Sequence, residues 1–216
     1  MNTPIEPSLK SNTQIALARL QDRVVEALFS LEPRLIMHGG TAIWRCYNGN
    51  RFSDDVDIYA TDKQVALLSN ELTWALNRRN VKLEYPKYGN TRRFWLFDDF
   101  ARSKIEAMVP PKRIASVERE YTRANGTNFM INTLSSDNFI LEKIHTYQSR
   151  MFIRDLYDIY HLANNEKITG KVKAALRSFL KDMQEPIDEG KLKELVYVGV
   201  APTFDGMKAS IKGKVG

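Results

Sequence analysis

Residues 37–59 read MHGGTAIWRCYNGNRFSDDVDIY, and the close of that stretch decides the fold, because Asp55 and Asp57 stand one residue apart. In a β-strand the side chains at i and i+2 project to the same face, so these two carboxylates would lie side by side. Val56, Ile58 and Tyr59 around them favour a strand. Two adjacent anions repel unless a cation sits between them. Hard oxygen donors of this kind suit Mg²⁺, which takes one or two protein carboxylates and completes its shell with water and phosphate oxygens. Upstream, Gly39-Gly40-Thr41 follows the apolar run Leu35-Ile36-Met37 and opens a short helical pattern. Glycines at that place let backbone N–H groups approach a phosphate at a helix N-terminus. A phosphate cradle followed by a metal-binding carboxylate pair reads as nucleotidyl transfer.

Working outward, residues 12–29 carry Leu17, Leu20, Val24, Ala27 and Leu28 at helical spacing, and Glu32-Pro33 ends that helix. Residues 34–38 read as a strand, 41–47 as a short helix closed by the turn Asn48-Gly49-Asn50, and 52–60 as the carboxylate strand. A further helix spans 62–79, with Val65, Leu68, Leu72 and Ala75 on one face. Strands follow at 81–85, 92–97, 104–109 and 128–134, and Pro110-Pro111 stops the third of these. Ser135-Ser136-Asp137 is a good helix start, and helices are expected over 137–149, 153–165, 170–183 and 189–197. The predicted class is α+β: a mixed sheet with flanking helices over residues 1–134, followed by a C-terminal helical bundle over 135–216.

Composition narrows the function. The 216 residues are 43% hydrophobic and 27% charged, as in an ordinary globular protein with a proper core. No apolar run approaches the roughly 18–20 residues of a membrane span, and the start MNTPIEPSLK lacks the layout of a signal peptide. The one cysteine, Cys46, excludes an internal disulfide, which favours a cytoplasmic setting and a buried hydrophobe over a nucleophile. A net charge of +6 favours anionic partners, RNA among them, although the basic pairs Arg78-Arg79, Arg92-Arg93 and Lys112-Arg113 and the basic tail Lys208–Lys214 each read, taken alone, more as solvated surface than as a nucleic-acid site. His38 is expected to pack beneath the glycines, and His145 and His161 have no zinc-ligand spacing. Trp44, Trp74 and Trp95 read as core residues.

Gly39-Gly40-Thr41 with Arg51-Phe52-Ser53-Asp54-Asp55-Val56-Asp57 resembles the signature of the polymerase β-like nucleotidyltransferases, and within them the AbiEii/AbiGii-type toxin nucleotidyltransferases. Leu141-Glu142-Lys143 and Arg154-Asp155-Leu156-Tyr157-Asp158 resemble two further motifs of that family in the same order. The resemblance implies a minimal nucleotidyltransferase palm followed by helices. It implies an enzyme that uses Mg²⁺, as one ion or two, and an NTP to modify an RNA acceptor such as tRNA. It also implies a separately encoded antitoxin as partner. Two metal ions generally need a third carboxylate on a neighbouring strand, and Glu106 in Lys104-Ile105-Glu106 is the candidate, with Asp98 or Asp99 as rivals. By the same resemblance Lys143 and Arg154 would contact the nucleotide, with Gly39, Gly40 and Thr41. Asp155 would orient or deprotonate the acceptor; the alternative is a buried Arg154–Asp158 or Lys143–Asp155 ion pair joining two helices. Two other functions stay open: a transferase of this fold acting on a protein or small molecule, and a non-catalytic binding or regulatory module.

Overall fold

The computed structural model describes residues 3–84, 87–88, 91–112 and 114–216. The strand end expected at Tyr85 and the Arg113 half of a basic pair lie outside the described residues. The chain forms two compact units, Met1–Asn48 with Phe52–Thr133, and Gly49–Arg51 with Leu134–Gly216.

In the first unit the chain runs α1 (Asn12–Leu31), β1 (Ile36–His38), α2 (Gly39–Cys46), β2 (Val56–Tyr59), α3 (Asp62–Asn77), β3 (Lys82–Glu84), β4 (Lys87–Tyr88), β5 (Thr91–Phe97), β6 (Arg102–Met108), β7 (Ser116–Thr122) and β8 (Asn128–Leu134). Ser11 caps α1 by accepting from the Gln14 N–H, and Thr61 with Gln64 forms a reciprocal capping box at α3. The strands make one mixed sheet in the order β3-β5-β6-β2-β1-β8-β7, with β4 on β5. At its centre β2 runs parallel to β6 and antiparallel to β1. Period-2 alternation sorts the two faces of β6. Ser103, Ile105 and Ala107 are buried, while Arg102, Lys104, Glu106 and Met108 are half-buried or exposed. Phe94, Leu96, Val56 and Ile58 join the buried set, against which α1 packs at β6 and α3 at β3.

In this unit the strand β7 and the side chain of Trp74 depart from the expectations. β7, SVEREYT, is absent from the sequence reading because its first five side chains are exposed or half-buried and carry no apolar alternation. Trp74, expected in the core, is 61% exposed and instead stacks with the Arg78 guanidinium at 4.7 Å. Trp44 does lie in the core at 2% exposure. It carries the buried Arg45 guanidinium 3.9 Å above its ring. Arg45 donates to the carbonyls of Ala18 and Thr122, so one cation ties α2 to α1 and β7. Cys46 is buried, which pushes its thiol up to about 12 and makes it an inert core residue.

The second unit comprises α4 (Ser136–Arg150), α5 (Ile153–Asn165), α6 (Gly170–Asp182), a 3-10 turn (Glu189–Lys191), α7 (Leu192–Leu195) and α8 (Phe204–Val215). Met151, at φ 51°, turns α4 into α5, and α8 packs on α5 and α6. α8 was not foreseen; Met207, Ile211 and Val215, four residues apart, bury one face of a segment whose lysines read as a basic tail. Between them α7 and the 3-10 turn replace the single helix expected over 189–197.

Candidate functional site

The carboxylate strand is held from below by α2. The buried Thr41 hydroxyl donates to the Asp55 carbonyl at 2.5 Å, fixing the backbone just before β2. Gln21 donates to the Ser53 carbonyl and Ser103 to that of Asp54, so the approach to the strand is pinned at three successive residues. His38, opposite Asp57 on β1, stacks on Tyr59 with ring centroids 3.9 Å apart. It sits beside the glycines as a packing residue. The exposed Asp54 lies next to this group as a solvated neighbour.

The parallel register of β2 and β6 sets Asp57 directly opposite Glu106. Arg93 on β5 faces Glu106 from the other side. One step before the β2 ladder, Asp55 reaches Lys104. Lys104 Nζ lies 3.1 Å from Asp55 Oδ2 and 2.6 Å from Glu106 Oε1, and Arg93 Nε lies 3.0 Å from Glu106 Oε1. Asp55, Asp57, Glu106, Lys104 and Arg93 therefore share the open face of the sheet. Burial pushes the Asp55 carboxyl up from its ordinary value; Lys104 pulls it down, and Asp54 and Asp57 add repulsion. Burial opposes the Lys104 charge, but Glu106 and Asp55 outweigh it and hold its pKa above the ordinary value. Lys104 and Arg93 were not singled out from the sequence, and alternation along β6 and β5 was the signal that would have found them.

The rival Asp98 belongs to the turn between β5 and β6. It accepts from the Phe100 and Ala101 N–H groups at 2.8 Å each and pairs with Arg23. Its carboxylate is committed to that turn.

Of the two glycines, the left-handed backbone falls at Gly39, at φ 74°, and Gly40 is helical. The residue Gly39 makes room for is Asp57: a Cβ at Gly39 would lie 2.7 Å from Asp57 Cγ. The first glycine thus seats the Asp57 carboxylate against bare backbone. Gly39→Ala is expected to displace Asp57 and to cost about 1–2 kcal/mol for the backbone angle alone. Paired urea unfolding and transfer assays would check it, with activity falling further than stability.

Three carboxylates with hard oxygen donors, one of them facing another across a ladder, fit a Mg²⁺ site in their chemistry. The fit is supported by the ammonium of Lys104, a cation already in contact with two of the three. Among the described residues no group of three or more His, Cys, Asp or Glu closes at metal-ligand distances.

In the second unit, Lys143, Asp155 and Asp158 form a buried ion-pair network. Lys143 Nζ lies 2.8 Å from Asp158 Oδ2 and 3.2 Å from Asp155 Oδ1. Arg51 grips Asp158 with two bonds of 2.6 Å, and Arg150 donates to both oxygens of Asp155. Burial works to raise the Asp158 pKa, yet Arg51 and Lys143 together bring it down to about 2. Burial likewise opposes the Lys143 charge, and Asp158 and Asp155 more than compensate. The lysine–aspartate pair considered from the sequence is present. The arginines that complete it are Arg51 and Arg150, while Arg154 lies over the Phe152 ring at 5.5 Å. Arg51, 107 residues from Asp158, could be found only in three dimensions.

Comparison with known proteins bears on this arrangement. The chain is similar in fold to JHP933 from Helicobacter pylori, with a TM-score of 0.67 and 15% identity over 96% of this chain and 92% of that one. Terminal uridylyl transferase 4 from Trypanosoma brucei with bound UPU aligns at a TM-score of 0.33 and 11% identity, covering 95% of this chain and 72% of that one. That score is too low to bear on the fold. A search of curated proteins finds no match. The family model described as nucleotidyl transferase AbiEii toxin, type IV toxin–antitoxin system, matches residues 23–203, a span that takes in the carboxylate strand, Glu106 and the lysine–aspartate network. The chain therefore belongs to the AbiEii toxin family and is a nucleotidyltransferase.

Proposed function

We propose that this nucleotidyltransferase moves a nucleoside monophosphate from an NTP to an RNA acceptor, tRNA among the candidates, with Mg²⁺ held by Asp55, Asp57 and Glu106. The observation that carries the proposal is the β2–β6 register, which sets Asp57 against Glu106 beside Asp55 on the open sheet face. The acceptor hydroxyl gives up its proton to solvent and attacks the α-phosphorus in line, the bond to the bridging oxygen breaks, and pyrophosphate leaves with the electron pair. Protein work in such a transfer is mostly positioning and charge neutralisation. Bound Mg²⁺ would supply charge stabilisation to the attacking and leaving oxygens. Asp55 and Asp57 are positioned for it by Thr41 and Gly39. Backbone N–H groups at the start of α2, Gly40 and Thr41 included, are the phosphate contacts in this proposal. Lys143 and Asp155 are assigned to anchoring α4 on α5, since their charges satisfy each other in the interior. Arg154, half-buried, remains the arginine proposed to meet nucleotide phosphate. The family's toxin–antitoxin character supports a cognate antitoxin as partner and a cytoplasmic site of action.

Incubation with each labelled NTP, Mg²⁺ and total RNA, resolved by acceptor fraction, tests the reading. Label in a discrete RNA band, lost with Asp57→Asn, is the expected result. Label in protein or in a small molecule would replace the RNA acceptor by one of those. No label in any fraction would overturn the proposed acceptor.

A further inference from the structure

The carboxylates assigned to a divalent cation already share a cation of the protein's own. Lys104 is two residues before Glu106 on β6, so both side chains leave the same face of the strand. One ladder step before the pair Val56↔Ile105, Lys104 comes opposite Asp55. Strand geometry, and not a chance surface rotamer, places its ammonium in contact with Asp55 Oδ2 and Glu106 Oε1. The Lys104 and Glu106 side chains are only 24% and 20% exposed, so screening by water is partial. Lys104 and Arg93 offset part of the negative charge that Asp55 and Glu106 bring to this face. Without Lys104 the cluster would be more negative by one charge.

An ammonium and a divalent cation cannot both lie against the same two oxygens, because at contact distance like charges in a half-buried site repel strongly. Lysine suits a temporary occupant, being a compact charge on a flexible four-carbon stem. We propose that Lys104 is a built-in competitor of the divalent ion: it holds Asp55 and Glu106 together in the metal-free protein and must swing away before the ion is seated. Free ion then binds weakly, and the released ammonium becomes available to an arriving anion such as a triphosphate. This inference rests on the metal site proposed above.

The test is Mn²⁺ binding to the full chain without nucleotide, by calorimetry and by the electron paramagnetic resonance of free Mn²⁺. Wild type, Lys104→Gln, Lys104→Arg and Asp57→Asn are compared. Loss of the competing charge in Lys104→Gln is expected to tighten Mn²⁺ binding by about tenfold or more. Lys104→Arg keeps a cation whose forked donors hold carboxylates at least as firmly, so its Mn²⁺ binding is expected to be no tighter than that of wild type. Thermal unfolding gives an independent readout: Mn²⁺ should raise the Tm of Lys104→Gln more than that of wild type, since stabilisation follows affinity. Unchanged or weaker Mn²⁺ binding in Lys104→Gln, with Asp57→Asn abolishing it, overturns the role of Lys104 alone. Mn²⁺ binding that survives Asp57→Asn, or that neither wild type nor Lys104→Gln shows, overturns the metal site and the competitor together.

Discussion

Asp57→Asn is expected to abolish nucleotidyl transfer while leaving the fold standing. Asparagine keeps the shape and one acceptor oxygen, so the packing of residue 57 on Gly39 survives. It removes the anionic charge from the member of the cluster that faces Glu106 across the ladder. Outer partners of metal ligands typically cost about 10–100-fold when removed, and a ligand itself should exceed that. Single-turnover transfer with excess enzyme, alongside circular dichroism on the same preparation, is the measurement. Retention of wild-type rates would remove Asp57 from the chemistry. Thermal stability without metal should hold level, because the change relieves repulsion on Asp55, one of the groups pushing that carboxyl up.

The second large effect is on stability. Asp158→Ala is expected to destabilise the protein by about 3–5 kcal/mol, because it strands the charges of Arg51 and Lys143 in the interior. Urea unfolding followed by tryptophan fluorescence would read the loss. The same network sets an acid limit. The folded pKa of Asp158, about 2, lies below its ordinary value of 3.8. Its stabilisation is therefore complete above the ordinary carboxylate range and is lost as pH falls through about 2. Wild type should show this acid loss and Asp158→Ala should lack that component. If Asp158→Ala unfolds at the wild-type urea midpoint, the network contributes nothing net.

Reading the chain locally recovers what local physics sets. Helix periodicity over α1, α3, α4 and α5 and the strands β5, β6 and β8 are written in neighbours a few residues apart, and the cap at Ser135 lies in plain view. The carboxylate pair of β2 is legible for the same reason, since i and i+2 share a face. β7 and α8 escaped because an exposed strand and a lysine-rich helix carry little apolar signal until their partners are known.

Sequence by itself therefore determined the α+β class, the family and the Asp55–Asp57 pair. Only the tertiary structure decided what surrounds that pair. It took the β2–β6 register to set Glu106 opposite Asp57 and to thread Lys104 between Asp55 and Glu106, some fifty positions on. It took the left-handed backbone at Gly39 to show that this glycine admits the Asp57 carboxylate. Arg51, in a motif shared with the carboxylates, went instead to Asp158 on α5. Charge pairing across long loops depends on strand order and helix packing, which no window of sequence contains, whereas the faces of a single strand or helix follow from its own repeat.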